Sequence, residues 1–363
     1  MARKKHRVGI IGLGFGRAHI PAFQANGCEV VAVCQRNQET ARSVAERYQV
    51  PGVFERWEHM LEEAKPDIVV IASPPNLHRE IALRAFEQGA HVLCEKPLAM
   101  TAAEGRDMVE AARRAQRVAM TSFNWRFIPA MQRFHSLVEE GGVGRLFHAG
   151  GRWLGARWAD EAAPATWRMD RAQAGHGAMG DMGVHLIDMV RWNFGEFARV
   201  TAQAGVAYPT RSAPGGKPTD AEDFCSVMGE LVSGGHVTLS VSRAARGANE
   251  QFLEAYGSQG GIVYRVDREK PKWYVGDLRA AGASGTLQPV PFSAGLPRSA
   301  GEGDQMEVIG KATIAPLVKR FLDGIRRGES PSPTLEDGVA AQLVLDAVLR
   351  SLEDGGWQRV EAA

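Results

Sequence analysis

Val8-Gly9-Ile10-Ile11-Gly12-Leu13-Gly14-Phe15-Gly16 is the stretch whose reading decides the fold. A short apolar run that ends in closely spaced glycines reads as a buried strand entering a tight turn. Glycine lets the backbone turn sharply and approach a pyrophosphate, and the N-terminus of the following helix favours phosphate charge. Gly12, Gly14, Phe15 and Gly16 are therefore candidate dinucleotide-binding residues. A lone glycine turn of this kind is as readily structural. Its place directly after an N-terminal strand that opens a βαβ series favours the dinucleotide reading. Two details depart from the usual fingerprint. Its third glycine position falls on Arg17, with Gly16 one place early. Pro21 lies where the helix is expected to be running, which predicts a kinked or delayed helix.

The series continues through the N-terminal third. Apolar runs at Val30 to Cys34, Ile68 to Ala72, His91 to Cys94 and Val118 to Ser122 read as further strands. Helical patterns lie between them at Gln38 to Tyr48, Trp57 to Ala64, Leu77 to Gln88 and Thr101 to Gln116, the last with Thr101 and Glu104 in capping-box spacing. Apolar strands separated by helices predict a doubly wound parallel sheet, covered on both faces and binding ligands at the carboxyl ends of its strands. The second strand runs into Cys34-Gln35-Arg36-Asn37. An acid near this point would bind the adenosine ribose and repel a 2′-phosphate; here there is none. Gln35 is suited to an unphosphorylated ribose. Arg36 is either a surface arginine or a phosphate partner, and NADP is favoured over NAD on that ground.

The chain has 363 residues, long for one core, and two domains are expected, with a boundary between 123 and 124. A formal net charge of +1 gives no electrostatic case for a nucleic-acid partner. The basic start at Arg3-Lys4-Lys5 reads as a solvated tail. With no apolar leader after it and no membrane-length apolar run, no secretory signal and no membrane span are expected. The cysteines, Cys28, Cys34, Cys94 and Cys225, lack metal-ligand spacing, so neither a metal nor a disulfide framework is expected. Buried thiols in a cytoplasmic setting are the expectation.

Two further segments carry chemistry. Gly175 to Asp188 reads GHGAMGDMGVHLID and places Asp181 and His185 four residues apart in an apolar, helical stretch, on one face. An imidazole passes protons near neutral pH, and a nearby carboxylate orients it and raises its basicity; alone, such a pair is as often structural. The second segment is Cys94-Glu95-Lys96-Pro97. A lysine at the carboxyl end of a parallel strand points into the ligand crevice, and its ammonium can stabilise developing alkoxide character. The alternative is a solvent-facing lysine before an ordinary turn.

These segments, together with ASPPNLHREIALRAFEQGAHVLCEKPLAMT from Ala72, FNWRF from Phe123, TWR from Thr166 and PTLEDGVAAQLVLDAVLRSLEDG from Pro333, are spread over nearly the whole chain, from Val8 to Gly355. In them the chain resembles the family of glucose-fructose oxidoreductase, inositol dehydrogenase and the MocA rhizopine-catabolism proteins. The resemblance implies an NAD(P)-dependent oxidoreductase acting on a sugar, polyol or related carbonyl compound. It implies His185 as general base, with Lys96 and Asp181 positioning and polarising the substrate hydroxyl. It also implies that Ser73, Pro74, Asn76, His78, Glu95 and Lys96 line the cofactor cleft, although His78 could equally cap its helix. Two other classes resemble this family: an NAD-dependent glycosidase with no net redox change, and a non-catalytic cofactor-sensing regulator. Retention of Lys96, Asp181 and His185 counts against the regulator.

From Phe123 the composition changes. Arg145 to Leu154, Arg199 to Tyr208, Phe224 to Leu231, His236 to Arg243 and Glu250 to Val266 read as strands and hairpins without intervening helices. They predict a large open antiparallel sheet with helices on one face, in a second α+β domain over 124–363 for substrate and oligomerisation, whose C-terminal helix is expected to be able to pack back near the first domain. Pro209 to Thr219, rich in Pro, Gly and Ser, predicts a loop. The resemblance implies that the sheet's other face joins a homodimer or homotetramer. Trp153, Trp158, Trp167 and Trp192 gather in this region, where aromatic faces suit the C–H surface of a sugar but also fill cores. Trp153 and Trp167, with Asn124 and Arg168 from the family-like motifs, are the candidate substrate residues. The apolar spacing of Val339, Leu343, Ala347 and Leu352 marks a packing face of the C-terminal helix.

Overall fold

The computed structural model describes residues 5–211 and 219–362. Arg3 and Lys4 of the basic start, and most of the loop expected at 209–219, lie outside the described residues. The chain divides into two compact units. The first comprises Met1–Phe127 and Leu296–Val339, the second Ile128–Gly295 and Ala340–Ala363. This corrects the sequence-order division at 123/124, because residues 296–339 return to the first unit. Its helix Ala315–Arg327 buries Leu317, Val318, Phe321 and Leu322. The side chain of Asn26 donates to the Ala315 carbonyl at 3.0 Å, and Arg47 pairs with Asp304 and Glu307, each at 2.9 Å. An amphipathic helix announces that it needs a partner but not which one.

The first unit is built on six parallel strands: β1 (Arg7–Ile11), β2 (Glu29–Cys34), β3 (Gly52–Phe54), β4 (Ile68–Ile71), β5 (His91–Cys94) and β6 (Ala119–Thr121). Their order, β3-β2-β1-β4-β5-β6, reverses direction between β1 and β4, the place where doubly wound sheets bind ligands. Val8, Ile10, Ile68–Ile71, Val92 and Leu93 have no solvent exposure, as strands covered on both faces require. Sequence reading missed β3, a three-residue half-buried edge strand. Helices occupy Gln38–Tyr48, Trp57–Ala64, His78–Glu87 and Ala102–Ala115. Thr101 caps the last by accepting from the Glu104 N–H at 3.2 Å. After the glycine turn, a short 3-10 turn (Gly16–Ala18) precedes the helix His19–Ala25. Pro21 therefore sits in the first α-helical turn, where its missing N–H costs nothing, and this is the delay expected of it.

The second unit carries a nine-stranded sheet. Its strands are β7 (Leu146–Leu154), β8 (Phe197–Gly205), β9 (Phe224–Leu231), β10 (His236–Ser242), β11 (Glu250–Gly257), β12 (Gly260–Asp267), β13 (Asp277–Gly282), β14 (Gln288–Pro289) and β15 (Gln358–Arg359). The order is β14-β13-β12-β11-β7-β10-β9-β8-β15. The expectation of an antiparallel sheet needs one correction: β7 and β10 pair in parallel, and the remaining pairs are antiparallel. Alternation in β9 and β10 buries Cys225, Val227, Leu231, Val237, Leu239 and Val241. The helix Val184–Phe194, buried from Val184 to Arg191, belongs to this covered side and packs on β7. On the outward positions, Phe147, Phe224 and Met228 are 46%, 45% and 54% exposed.

Candidate functional site

In the first unit the candidate site is the carboxyl end of the sheet around β1 and β4. Gly12 has φ +87°, and a Cβ there would lie 2.4 Å from the Ala72 carbonyl oxygen and 2.7 Å from the Ser73 nitrogen. Only glycine permits β1 and β4 to close at this point. Gly14 differs: a Cβ on it meets nothing within 4 Å, so protein packing does not demand glycine there. Gly16 lies buried under the turn, with its Cβ position 3.0 Å from that of Ala72. Phe15 heads the short 3-10 turn and offers no side-chain cap to it. A tight turn, an open space beside Gly14 and an uncapped helical start fit a dinucleotide pyrophosphate.

At the end of β2, Gln35 Oε1 accepts from the Leu13 N–H at 3.4 Å, and Asn37 caps the next helix. Arg36 is exposed. No acid stands at the end of β2 in Gln35-Arg36-Asn37, yet Glu58 and Glu55, from the segment after β3, act on Cys34. Burial first, then these two carboxylates, push its thiol up to about 12. That acidic neighbourhood was not legible, because it reaches β2 through the pairing of β3. All four cysteines are buried and free.

The β4 and β5 loops are tied by His78. Its Nε2 lies 2.9 Å from the Ser73 carbonyl, and its Nδ1 lies 3.0 and 3.2 Å from the carbonyls of Pro97 and Leu98. A neutral imidazole has one N–H to donate, and burial pushes this ring's pKa down. His78 thus donates to one of the two loops and packs against the other, a place between them that the helix-capping alternative did not foresee. Ser73 is buried, Pro74 half-buried and Asn76 exposed. The Lys96-Pro97 bond is cis, and Lys96 is half-buried. Glu95 is buried and accepts from the His19 ring at 2.8 Å. Burial alone would raise its pKa, but the His19 hydrogen bond and the charges of His19 and Lys96 hold it below the usual carboxylate range. Nothing singled out His19 beforehand. Its partner is 76 residues away, joined to it only by the meeting of two strand ends.

Asn124, expected to face substrate, is buried in the first unit, where its Nδ2 donates to Thr313 Oγ1 at 2.7 Å. Thr313 belongs to the returning segment 296–339.

In the second unit, the GHGAMGDMGVHLID stretch is not one regular helix. Met179–Gly183 forms a π-helical turn carrying Asp181, and the α-helix Val184–Phe194 then carries His185. Such widened turns are rare and concentrate at functional sites. The His185 ring lies beside that of Trp153, centroids 5.4 Å apart and planes tilted by 36°. Trp153 is buried in β7, so it is as much a wall for the imidazole as a ligand platform. Asp181 Oδ1 stands 3.7 Å from Arg168 Nε, and the Arg168 guanidinium lies 4.3 Å over the Trp167 ring. Trp167, Arg168 and Asp181 are all partly exposed. Trp158 is buried between Arg157 and Arg243, and Trp192 stacks on His135. In this unit the structure therefore gathers five of the candidates, in two groups: Trp153 with His185, and Trp167 and Asp181 about Arg168.

Missed altogether was the network beneath them. Asp223 Oδ1 accepts from Arg243 Nε at 2.7 Å, Arg211 stands 3.8 Å from the same oxygen, and all three are 1% exposed or less. Arg243 also donates to the Arg168 carbonyl at 2.8 Å. Among the described residues no cluster of His, Cys, Asp and Glu could hold a metal, and no helix is long and apolar enough to cross a membrane.

Comparison with known proteins agrees with this geometry. Residues 6–123 match the family model described as an oxidoreductase family with an NAD-binding Rossmann fold, and residues 131–263 match the GFO/IDH/MocA C-terminal domain. Levoglucosan dehydrogenase of Pseudarthrobacter phenanthrenivorans is 31% identical, over 96% of this chain and 97% of its own. Inositol 2-dehydrogenase of Rhizobium meliloti is 26% identical, over 96% and 97%. A solved levoglucosan dehydrogenase in complex with NADH and levoglucosan superposes with a TM-score of 0.87 at 30% identity, covering 99% of this chain and all of that one.

Proposed function

The chain belongs to the Gfo/Idh/MocA family of NAD-binding oxidoreductases, and from that premise we propose that it is a dehydrogenase of a sugar or polyol hydroxyl, using NAD(P). The observation that carries this reading is the π-helical turn that sets Asp181 and His185 on consecutive turns, with a tryptophan beside the imidazole and an arginine beside the carboxylate. The nicotinamide, when bound, supplies the hydride acceptor. The chain's own residues do the rest. Gly12, Gly14, Phe15 and Gly16 receive the pyrophosphate, with Gln35 and Arg36 toward the ribose and Ser73, Pro74, Asn76 and Glu95 along the cleft. His185 takes the hydroxyl proton, since a carbinol releases hydride efficiently only as that proton leaves. Asp181 orients the base, and the Lys96 ammonium favours alkoxide character. Trp153 and Trp167 offer flat faces to a sugar's C–H surface, and Arg168 a donor to its oxygens.

For the ribose 2′ position, Arg36 favours the phosphorylated dinucleotide, while Glu55 and Glu58 beside β2 oppose it. We propose a homodimer or homotetramer through the outward face bearing Phe147, Phe224 and Met228, with chromatography coupled to light scattering as its check. The test of the activity is cofactor reduction with NAD and with NADP, across levoglucosan, inositols and free aldoses. Stoichiometric reduced cofactor from one of them supports the reading. Aglycone release from glycosides without net reduction would replace it with glycosidase chemistry.

A further inference from the structure

Two backbone N–H groups stand at the entrance to the π-helical turn that carries Asp181, where a helix leaves donors without partners of its own. One residue takes both. The Ala178 N–H donates to the Glu222 carbonyl at 2.7 Å, and the Met179 N–H donates to Glu222 Oε1 at 3.0 Å. Glu222 is 2% exposed, so water does not compete for either bond. The approach is close enough to require glycine on the other side, since a Cβ on Gly177 would lie 1.9 Å from the Glu222 carbonyl oxygen.

The next residue, Asp223, holds the other half of the cluster. Its Oδ1 accepts from Arg243, whose guanidinium donates to the Arg168 carbonyl. Arg168 is the residue paired with Asp181. Glu222 thus fixes the start of the turn that bears Asp181 and leads into His185, and Asp223 fixes the partner of Asp181. No motif in the sequence marked either residue.

We propose that Glu222 is a positioning residue: its Oε1, by accepting the Met179 N–H, sets the orientation of Asp181 and His185 toward substrate. This rests on the reading of His185 as the proton acceptor. The bond needs an acceptor at full side-chain reach and does not need a charge. Glu222→Gln keeps the reach and loses the charge, whereas Glu222→Asp keeps the charge and is one methylene too short.

The test uses both variants in the full chain, on a substrate found by the cofactor-reduction screen. A misplacement of about 1 Å in reacting groups costs on the order of a hundredfold in rate. Glu222→Asp should therefore lose about ten- to hundredfold in kcat, with the KM for the dinucleotide within about twofold of wild type. Glu222→Gln should stay within about threefold of wild-type kcat. Hydrogen exchange followed by mass spectrometry on peptides spanning 178–186 should be faster in Glu222→Asp only. Wild-type kcat in Glu222→Asp, or equal losses in the two variants, would overturn the proposal. His185→Ala run alongside separates the two readings. If it retains turnover, the base assignment fails, and the exchange data still decide whether Glu222 holds the turn. Should Glu222→Asp not fold, Glu222→Gln alone remains decisive, because a tenfold loss in it is incompatible with a bond that needs no charge.

Discussion

Gly12 and Gly14 stand two residues apart in one turn, and the protein's own packing requires glycine only at Gly12. At Gly12 an alanine meets two penalties. Its φ of +87° is one that L side chains avoid, at about 1–2 kcal/mol. Its Cβ would also press on the Ala72 carbonyl and the Ser73 nitrogen at 2.4 and 2.7 Å. Those are backbone atoms at the end of β4 and cannot swing aside, so an overpacking cost of about 1–3 kcal/mol is added. The total, about 2–5 kcal/mol, falls on the first unit, which in its size range converts to about 2–4 °C in Tm per kcal/mol. Gly12→Ala should therefore melt on the order of 10 °C lower. At Gly14 an added Cβ meets no protein atom within 4 Å, which leaves room for a side chain, so Gly14→Val should melt within about 2 °C of wild type. Its cost appears on the ligand instead. Keeping a pyrophosphate from charged hydrogen bonds worth about 1.5–3 kcal/mol weakens dinucleotide binding by about ten- to hundredfold. Differential scanning calorimetry and titration calorimetry with NAD and NADP read the two effects separately. A Gly14→Val protein that binds dinucleotide normally, or a Gly12→Ala protein with unchanged Tm, would refute the reasoning.

Four further outcomes follow from the same geometry. Asp223→Ala leaves buried Arg243 and Arg211 without their shared carboxylate, and breaking a buried pair in this way costs about 3–5 kcal/mol, readable as a Tm lower by about 6–20 °C. His185→Ala should lower turnover by about 10²- to 10⁴-fold and flatten the acid limb of the pH profile with dinucleotide affinity unchanged, whereas Lys96→Ala should lose turnover but keep that limb. Arg36→Ala should weaken NADP by about tenfold more than NAD in titration calorimetry, and equal losses would show that Arg36 does not read the phosphate. Finally, burial, with Arg117 and His6 beside it, lowers the His91 pKa from its ordinary 6.5 to about 4, and burial lowers His78 and His176 in the same direction. A depressed histidine lets the unfolded chain bind a proton that the folded chain refuses. Stability is therefore full above pH 6.5 and falls as the pH drops toward 4, and His91→Gln should remove about one proton from the uptake on unfolding measured near about pH 5.

The parallel domain was legible because its physics is local. Buried strands are continuous apolar runs, helices have a period, and both the glycine turn and the Thr101 cap are set by neighbours within a few residues. The edge strand β3 escaped because three half-buried residues have no period to read. The parallel pairing of β7 with β10 escaped for a different reason. An alternating pattern fixes which face of a strand is buried but says nothing about the direction of its neighbour.

The sequence by itself determined that this chain would build a doubly wound domain followed by a sheet domain, because apolar period and backbone freedom are set by residue type and short spacing. Lys96, Asp181 and His185 were candidates for chemistry by residue type, and their roles rest on the family resemblance. Only the tertiary structure decided what surrounds those groups. It sent 296–339 back to the first unit, gave Asn124 to Thr313, set His78 between the Ser73 and Pro97 loops and set Trp153 against His185. It also placed Glu222 and Asp223 beneath the turn that bears Asp181. These contacts join residues on different elements, from 5 residues apart (His78 and Ser73) to 189 (Asn124 and Thr313). A buried polar group must find a partner, but which partner it finds is fixed by the packing of whole elements, and no local pattern carries that information.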